Sequence, residues 1–191
     1  METLKLKVIS NGPALMASER LVNPNDPITK ELAKYTGKRK KTEEDNAEIL
    51  RLKFLGSLYY DDSVGIYWPG INLWASLRDG AKLSKRGQQI IRGAIVLEEF
   101  MPLKYKGPKE PEKLYKDPMF VDVRSGVLSG RRVMTCRPIF REWECEATIV
   151  YDSGIVNHDD LISIANDAGQ FSRMGTFRQR FGRYTVEEIA A

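Results

Sequence analysis

The chain opens with a pattern in which apolar and polar side chains alternate over residues 4 to 10. This period of two is typical of a β-strand with one buried face. Further along, Thr42 precedes three acidic residues and an apolar series with helical spacing, so we predict a helix capped by Thr42 and ending near Leu58. Its buried stripe is predicted to consist of Ala47, Leu50, Phe54, Leu55 and Leu58.

A further helix is predicted from Ile71 to about Ser84, directly after Pro69, because proline is favoured near the first turn of a helix. Its predicted apolar stripe is Ile71, Trp74, Leu77 and Ala81. Trp143 begins another apolar stripe, on a predicted strand. We therefore expect both Trp74 and Trp143 to lie in the core.

The C-terminal half has the clearest strand patterns. Predicted strands are Phe120–Leu128 and Arg131–Phe140, joined at Ser129–Gly130, then Trp143–Tyr151 and a closing strand Phe177–Val186. A helix capped by Asn157 or Asp159 is predicted to run to about Phe171. Shorter strands are predicted near residues 64–68, 94–97 and 101–105, and a short helix after Pro27.

This order of elements predicts an α+β fold with a ferredoxin-like or RRM-type (βαββαβ) core, one face of whose sheet stays open. With 191 residues, a single domain covering residues 1–191 is expected. Core elements are assigned to residues 1–17, 42–97 and 119–191, and long insertions to about residues 18–41 and 98–118.

The composition is that of a soluble globular protein, with 42% hydrophobic and 29% charged residues and a formal net charge of +4. Its two cysteines, Cys136 and Cys145, argue against a secreted disulfide fold. A cross-strand pair is geometrically conceivable, but we expect two reduced, half-buried thiols. Since neither a signal-peptide pattern nor a long apolar run occurs, we expect a cytoplasmic protein that does not enter a membrane.

The most informative stretch is Gly169–Val186, which contains several arginines, interleaved aromatic residues and no acid. A guanidinium offers a fork of donors that fits phosphate, and aromatic faces can stack on bases. Glycines permit close approach of the backbone to a bound group. The pattern favours a nucleic-acid contact over a solvated strand whose arginines only confer solubility.

The same region carries a resemblance. Arg137-Pro138-Ile139-Phe140, Trp143 and the segment from Gly175 to Tyr184 resemble a family of uncharacterised tailed-phage proteins with a G-x-G-x-x-R-P-x-[FY]-G-R-F segment. The core of that family in turn resembles the RAMP superfamily, the RNA-binding backbone subunits of CRISPR interference complexes. Arg173 stands where the first motif glycine would be, Thr176 replaces an acid and Gln179 replaces proline. The resemblance implies a RAMP-like fold, self-association along a strand, and the cytoplasm of an infected bacterium.

We therefore predict a non-enzymatic protein that binds single-stranded DNA or RNA along an arginine-rich groove, as an oligomer or filament. The predicted contacts are Lys38, Arg39, Lys40, Lys41, Lys85, Arg86, Arg131, Arg132, Arg137, Arg173, Arg178, Arg180, Arg183 and Tyr184. The arginines are expected on the open sheet face, with Tyr184 stacking on a base. One alternative is an anti-defence protein that mimics or inhibits a CRISPR RAMP subunit in a host defence complex. A metal-independent ribonuclease is a second alternative.

Catalytic and cofactor motifs are not evident. The single histidine, His158, is followed by Asp159 and Asp160 at a predicted helix start, where capping and dipole compensation explain the pattern. Zinc-ligand spacing, a Walker motif and a nucleophile elbow are lacking in the sequence. We predict no enzymatic activity, no metal and no cofactor.

Overall fold

A computed structural model describes residues 1–128 and 130–189, without the side chains of residues 127, 128 and 131. The fold is α+β, as predicted. The strands are β1 (Glu2–Ser10), β2 (Ala14–Leu15), β3 (Tyr60–Asp61), β4 (Gly65–Pro69), β5 (Ala94–Val96), β6 (Phe100–Pro102), β7 (Val121–Leu128), β8 (Arg131–Phe140), β9 (Glu144–Tyr151) and β10 (Tyr184–Glu188). The helices are α1 (Pro27–Thr36), α2 (Glu43–Ser57), α3 (Gly70–Ala81), α4 (Gly87–Gly93), α5 (Pro111–Lys116) and α6 (His158–Asp167). The predicted turn residue Ser129 lies outside the described residues.

The chain forms two compact units, each built from separate segments. The first unit comprises Met1–Ala14, Asp61–Lys106 and Phe140–Ala191. The second comprises Leu15–Tyr60 and Gly107–Ile139. The single domain expected for residues 1–191 stays a prediction.

The first unit is organised around a four-stranded sheet in the order β10–β1–β9–β5, in which every neighbouring pair is antiparallel. The predicted alternation in β1 is confirmed, since Leu4, Leu6 and Val8 are buried. Val8 lies opposite Cys145 and Leu6 opposite Ala147, so both strands contribute to one apolar face. Burial of these side chains against the helices is the main stabilising contribution of the sheet.

Helix α3 packs on this face together with α6. Glycine decides how closely α3 approaches its neighbour, because a Cβ on Gly80 would lie 2.7 Å from the Cα of Ala168. The helix therefore buries Leu73, Leu77 and Gly80, while Ile71 stays 64% exposed. The predicted stripe is correct at Leu77 and Ala81 but wrong at Ile71, and Trp74 is only half-buried, because the side of the helix that carries Gly80 packs closest to its neighbour.

The opposite face of the sheet contains charges of both signs. Lys5 and Lys7 alternate with the buried residues of β1, and Glu144 and Glu146 do so on β9. Lys7 forms a salt bridge to Glu144 at 2.8 Å. The prediction that the C-terminal arginines occupy this face is wrong. Arg173, Arg178, Arg180 and Arg183 lie on the loop that precedes β10.

Trp143 precedes β9 and is only 3% exposed, as predicted. Its ring packs on Trp68 of β4 with a centroid distance of 5.7 Å. Trp68 belongs to a smaller sheet, β3–β4–β6, where it lies opposite Met101. Trp74, in contrast, is half-buried; its Nε1 donates to the carbonyl of Ala94 at 3.0 Å.

The second unit contains α1, α2, α5 and a sheet in the order β2–β8–β7. Thr42 caps α2 as predicted, and the Asp45 carboxylate accepts a reciprocal bond from the Thr42 N–H. Phe54 is buried and packs on Tyr115 of α5 at 5.2 Å. The predicted stripe is only partly correct, because Ala47 is exposed and Ile49 takes its place in the core.

Other differences concern the region predicted as insertions and the pairing of the hairpin. The first predicted insertion contains α1, while β6 and α5 fall within the second. The hairpin β7–β8 is confirmed, but it belongs to a different sheet from β9. Local periodicity finds strands well, but it carries no information about which sheet a strand joins.

Both cysteines are free, in agreement with the predicted reduced thiols, but they are fully buried and not half-buried. Burial raises the pKa of the Cys145 thiol to about 12 and that of Cys136 to about 11. Thiols with such pKa values are poor nucleophiles at neutral pH. Within the described ranges, no helix has the length and apolar content needed to traverse a bilayer.

Candidate nucleic-acid interface

The arginine-rich stretch forms a loop, which we call the arginine loop and define as residues 173–183. It follows α6 and a π-helical turn, Ala168–Ser172, and it ends at β10. The predicted closing strand Phe177–Val186 is wrong from Phe177 to Arg183, because β10 begins only at Tyr184. Gly175, Phe177 and Gly182 have φ values of 80°, 51° and 83°, and positive φ is incompatible with an extended strand.

The base of the arginine loop is closed by buried contacts. The amide of Met174 donates to the carbonyl of Gly182 at 2.9 Å, and the amide of Gly182 donates to Pro13 at 2.8 Å. The side chains of Met174 and Phe181 are 1% and 6% exposed. The sequence pattern thus divides into buried anchors and outward-facing cations, and the anchors give the cations a defined position.

Arg173 has an unusual backbone, with φ 65° and ψ 170°. Glycine is almost the only residue that adopts this region readily, and other residues pay about 1–3 kcal/mol there. Two side-chain bonds hold the conformation, from Nε to the carbonyl of Gln170 at 3.2 Å and from Nη1 to the carbonyl of Arg178 at 2.6 Å. Arg173 therefore shapes the loop with its own guanidinium.

This strain predicts that the usual order of stability of alanine and glycine variants is inverted at residue 173. Arg173→Gly and Arg173→Ala both lose the side-chain bonds, but only glycine relieves the backbone. We expect the glycine variant to be more stable than the alanine variant by about 1–2 kcal/mol in urea unfolding. The matched pair Arg180→Gly and Arg180→Ala should show the usual order, with glycine less stable. Equal or greater stability of Arg173→Ala would contradict the strain.

Arg178, Arg180 and Arg183 are exposed. Among the described residues, no carboxylate forms a salt bridge with Arg180 or Arg183, while Arg178 Nη1 lies 3.6 Å from Asp79 Oδ2. The loop lines an open concavity of about 710 Å³ together with Phe171. An arrangement of this kind attracts anions, because exposed guanidinium groups with few acidic partners leave a positive potential.

The aromatic residues in and beside the arginine loop do not all lie where they were predicted. Tyr184 is 1% exposed, and its hydroxyl lies 2.9 Å from Ser76 Oγ. Burial raises the Tyr184 pKa far above its ordinary value. The stacking role predicted for Tyr184 is wrong, since its ring fills the space beside Gly169, where an added Cβ would lie 2.8 Å from the ring atom Cδ2. Phe171 is not among the predicted contact residues, but it is 61% exposed at the rim of the concavity.

Asp79 on α3 is a second feature that sequence reasoning missed. Arg78 donates to its Oδ1 from Nε at 3.1 Å and from Nη2 at 2.9 Å, and Lys82 Nζ donates to the same oxygen at 2.8 Å. With Arg178 nearby, three cations surround one carboxylate. The Arg78 guanidinium also lies over the Trp74 ring, 5.4 Å from its centroid. Part of this signal is visible in the sequence, because Lys82 lies three residues after Asp79 and four after Arg78, and both spacings bring side chains together on one side of a helix.

Lys85 and Arg86 follow the end of α3. Lys85 is exposed and has a left-handed backbone with φ 62°. Arg86 forms a salt bridge with Asp160 of α6. Of these two cations, Arg86 is therefore compensated by an acid, and Lys85 is the more available to an anion.

The remaining predicted contacts belong to the second unit. Lys38, Arg39, Lys40 and Lys41 are exposed, and Lys38 pairs with Asp45 at 2.5 Å. Arg132 is exposed and Arg137 is half-buried on β8, where burial lowers the pKa of Arg137. The side chain of Arg131 lies outside the described residues. The predicted set is thus divided between the two units.

His158 lies at the start of α6, which Asn157 caps through a bond from the Asp160 N–H. The ring nitrogens lie 3.2 Å from Asp159 Oδ1 and 3.1 Å from Glu188 Oε1. Hydrogen bonds to Asp159 and Glu188 raise the pKa of this exposed imidazole. Over the residues described, no group of three or more His, Cys, Asp or Glu side chains is arranged to hold a metal ion.

Comparison with known proteins adds no assignment. No protein-family model matches the chain. No curated protein sequence matches it either.

Proposed function

We propose that the protein binds single-stranded nucleic acid through the arginine loop and does not act as an enzyme. The observation that carries the proposal is the structure of this loop. Three exposed arginines, Arg178, Arg180 and Arg183, project from a segment whose base is held by the buried Met174 and Phe181. Since their backbone is positioned before a ligand arrives, less ordering entropy opposes binding of phosphates.

A single strand suits this surface better than a duplex. The exposed Phe171 ring borders the same concavity as Arg173 and Arg178. An unpaired base can stack on such a ring while its phosphate contacts a guanidinium, and base–aromatic stacking contributes about 1–3 kcal/mol per base. In a duplex the bases are stacked on each other, so Phe171 would have no partner.

The finer part of the proposal is a ferredoxin-like, RAMP-like core of the kind resembled by the tailed-phage family, and the strand order supports its ferredoxin-like plan. β9 lies between β1 and β5, and β1 lies between β9 and β10. Helix α3 falls between β1 and β5 along the chain, and α6 between β9 and β10. Two interlocked split β-α-β units of this kind make up the ferredoxin-like plan. Arg173 adds support, because it adopts a glycine-like backbone where the resembled motif has glycine.

Charge reversal in the loop tests the proposal. Wild-type protein should bind labelled oligothymidylate or oligouridylate with a salt slope of about −2, given three contacting arginines and roughly −0.7 per phosphate. Arg178→Glu with Arg180→Glu should weaken binding about 100-fold, since two contacts become repulsive. Stability should change by less than about 0.5 kcal/mol. Fluorescence anisotropy measures binding and thermal unfolding measures stability.

Lys5→Glu with Lys30→Glu is the matched control. Lys5 and Lys30 are exposed cations outside the loop. Each reversal removes two charge units, so either pair takes the formal net charge from +4 to zero. The control should retain binding within about threefold if position, and not net charge, is decisive. Equal losses in both double variants would contradict a specific loop, and unfolding of the loop variant would show that Arg178 and Arg180 are structural.

A further inference from the structure

We propose that Asp79 is an internal competitor for the phosphate site, and that Arg78 of α3 and Lys82, which directly follows α3, are part of that site. This inference rests on the proposed function of the arginine loop. Asp79 accepts bonds from Arg78 and Lys82 and lies 3.6 Å from Arg178. Three cations thus converge on one carboxylate, from a helix and from the arginine loop.

The charge balance favours an anionic ligand. One carboxylate neutralises one of three cations, so two positive charges remain beside Asp79. A phosphodiester is the anionic group of a nucleic-acid strand, so this positive excess attracts it, and a guanidinium binds it with paired donors. The cluster therefore extends the arginine loop toward α3 as a continuous cationic surface within the first unit.

Arg78 is held in place even without a ligand. Its guanidinium lies over the Trp74 ring while its Nε and Nη2 both bond to Asp79 Oδ1. Trp74 is itself fixed by its bond to the carbonyl of Ala94. A positioned guanidinium loses little rotamer entropy when phosphate replaces the carboxylate.

The ion pairs of Asp79 with Lys82 and Arg178 are weak enough for a phosphate to replace the carboxylate. The Asp79 side chain is 24% exposed, and those of Lys82 and Arg178 are 60% and 47% exposed. Burial acts to raise the pKa of Asp79, but hydrogen bonds from Lys82 and Arg78 outweigh it and hold the pKa below its ordinary range. Asp79 is therefore ionised at neutral pH. Exposed ion pairs of this type contribute little to stability, so a polyanion can displace the carboxylate from Lys82 and Arg178.

Asp79→Asn tests the inference in the full-length protein with labelled oligothymidylate. We expect binding to tighten by about three- to tenfold, because one unit charge within a few ångströms of the phosphate is removed. The salt slope should steepen by about 0.7 for each additional phosphate contacted. Adding Lys82→Gln to Asp79→Asn should cancel most of the gain.

Glu144→Gln is the matched control, since it also removes one negative charge from a salt bridge, with side chains 33% exposed. It should change binding by less than about twofold if the effect is local. Lys82→Gln alone is a second test in case Asp79→Asn folds poorly. We expect its salt slope to be smaller in magnitude than that of the wild type, because one phosphate contact is lost.

The outcomes separate this inference from the proposed function. If the wild type binds and Asp79→Asn binds no better than Glu144→Gln, the competitor role is wrong while the arginine loop stands. If only Asp79→Asn binds, the competitor role is supported in its strongest form. Absence of binding by the wild type and by Asp79→Asn alike overturns both proposals.

Discussion

Replacing Gly182 with alanine is expected to destabilise the first unit by about 4 kcal/mol or more. Single substitutions cause losses of this size mainly through backbone strain or severe overpacking. Two independent effects combine at this residue. Its φ of 83° disfavours any side chain, and an added Cβ would lie 1.8 Å from the carbonyl oxygen of Met174. Relief would require movement of the Met174 backbone, whose N–H donates to the Gly182 carbonyl and so helps to close the arginine loop. Urea unfolding of the variant measures the loss.

Gly65→Ala provides the control, because Gly65 has the same φ of 83° but a Cβ there would meet nothing within 4 Å. We expect it to cost only about 1–2 kcal/mol, the usual penalty of a left-handed conformation. The difference between the two variants isolates the contact with Met174. A similar cost for both would show that the loop accommodates a Cβ at residue 182, and that its base is not rigid.

Alanine at Trp143 is expected to destabilise the protein by about 3–5 kcal/mol, as for other buried aromatic residues. The Trp143 ring is buried against Trp68, and its backbone exchanges hydrogen bonds with Ser10, from N–H to Oγ and from the Ser10 N–H to the Trp143 carbonyl, both 2.9 Å. The substitution leaves a cavity between β4 and the strands β1 and β9. Calorimetry or urea unfolding would give the free-energy change.

Trp74→Ala is the informative comparison. The hydrophobic pattern predicts an equal loss for both tryptophans, whereas half-burial and one hydrogen bond to Ala94 predict only about 1–2 kcal/mol for Trp74. If the two variants lose equal stability, Trp74 packs more fully in solution than its half-buried position indicates. If Trp143→Ala loses less than Trp74→Ala, the assignment of the core to Trp143 is wrong.

Local signals in the sequence were sufficient wherever one short-range interaction decides the structure. The period of two in β1 is one example, since Leu4, Leu6 and Val8 form a buried face whatever strand pairs with them. The cap of α2 is another, because Thr42 and Asp45 satisfy each other's backbone donors within a single turn. Arginine-rich composition likewise pointed to the loop that carries the candidate interface.

Elsewhere the hydrophobic pattern was misleading because long-range packing chose between alternatives of similar local energy. The face of α3 depends on Gly80 fitting against Ala168, and a hydrophobicity pattern gives glycine no weight. The stacking role predicted for Tyr184 is wrong for a similar reason. An aromatic residue beside arginines can face either way, and the inward position of the Tyr184 ring depends on its distant contact with Ser76.

The amino-acid sequence by itself determined the α+β class, most strands, the helix caps and the position of the cationic segment along the chain, because these follow from periodicity, capping chemistry and charge. Tertiary structure decided that this segment is a loop and not a strand, since positive φ at Gly175, Phe177 and Gly182 arises from buried anchors that close its base. It also decided that Arg178 meets Asp79, a pair 99 positions apart that no local pattern contains.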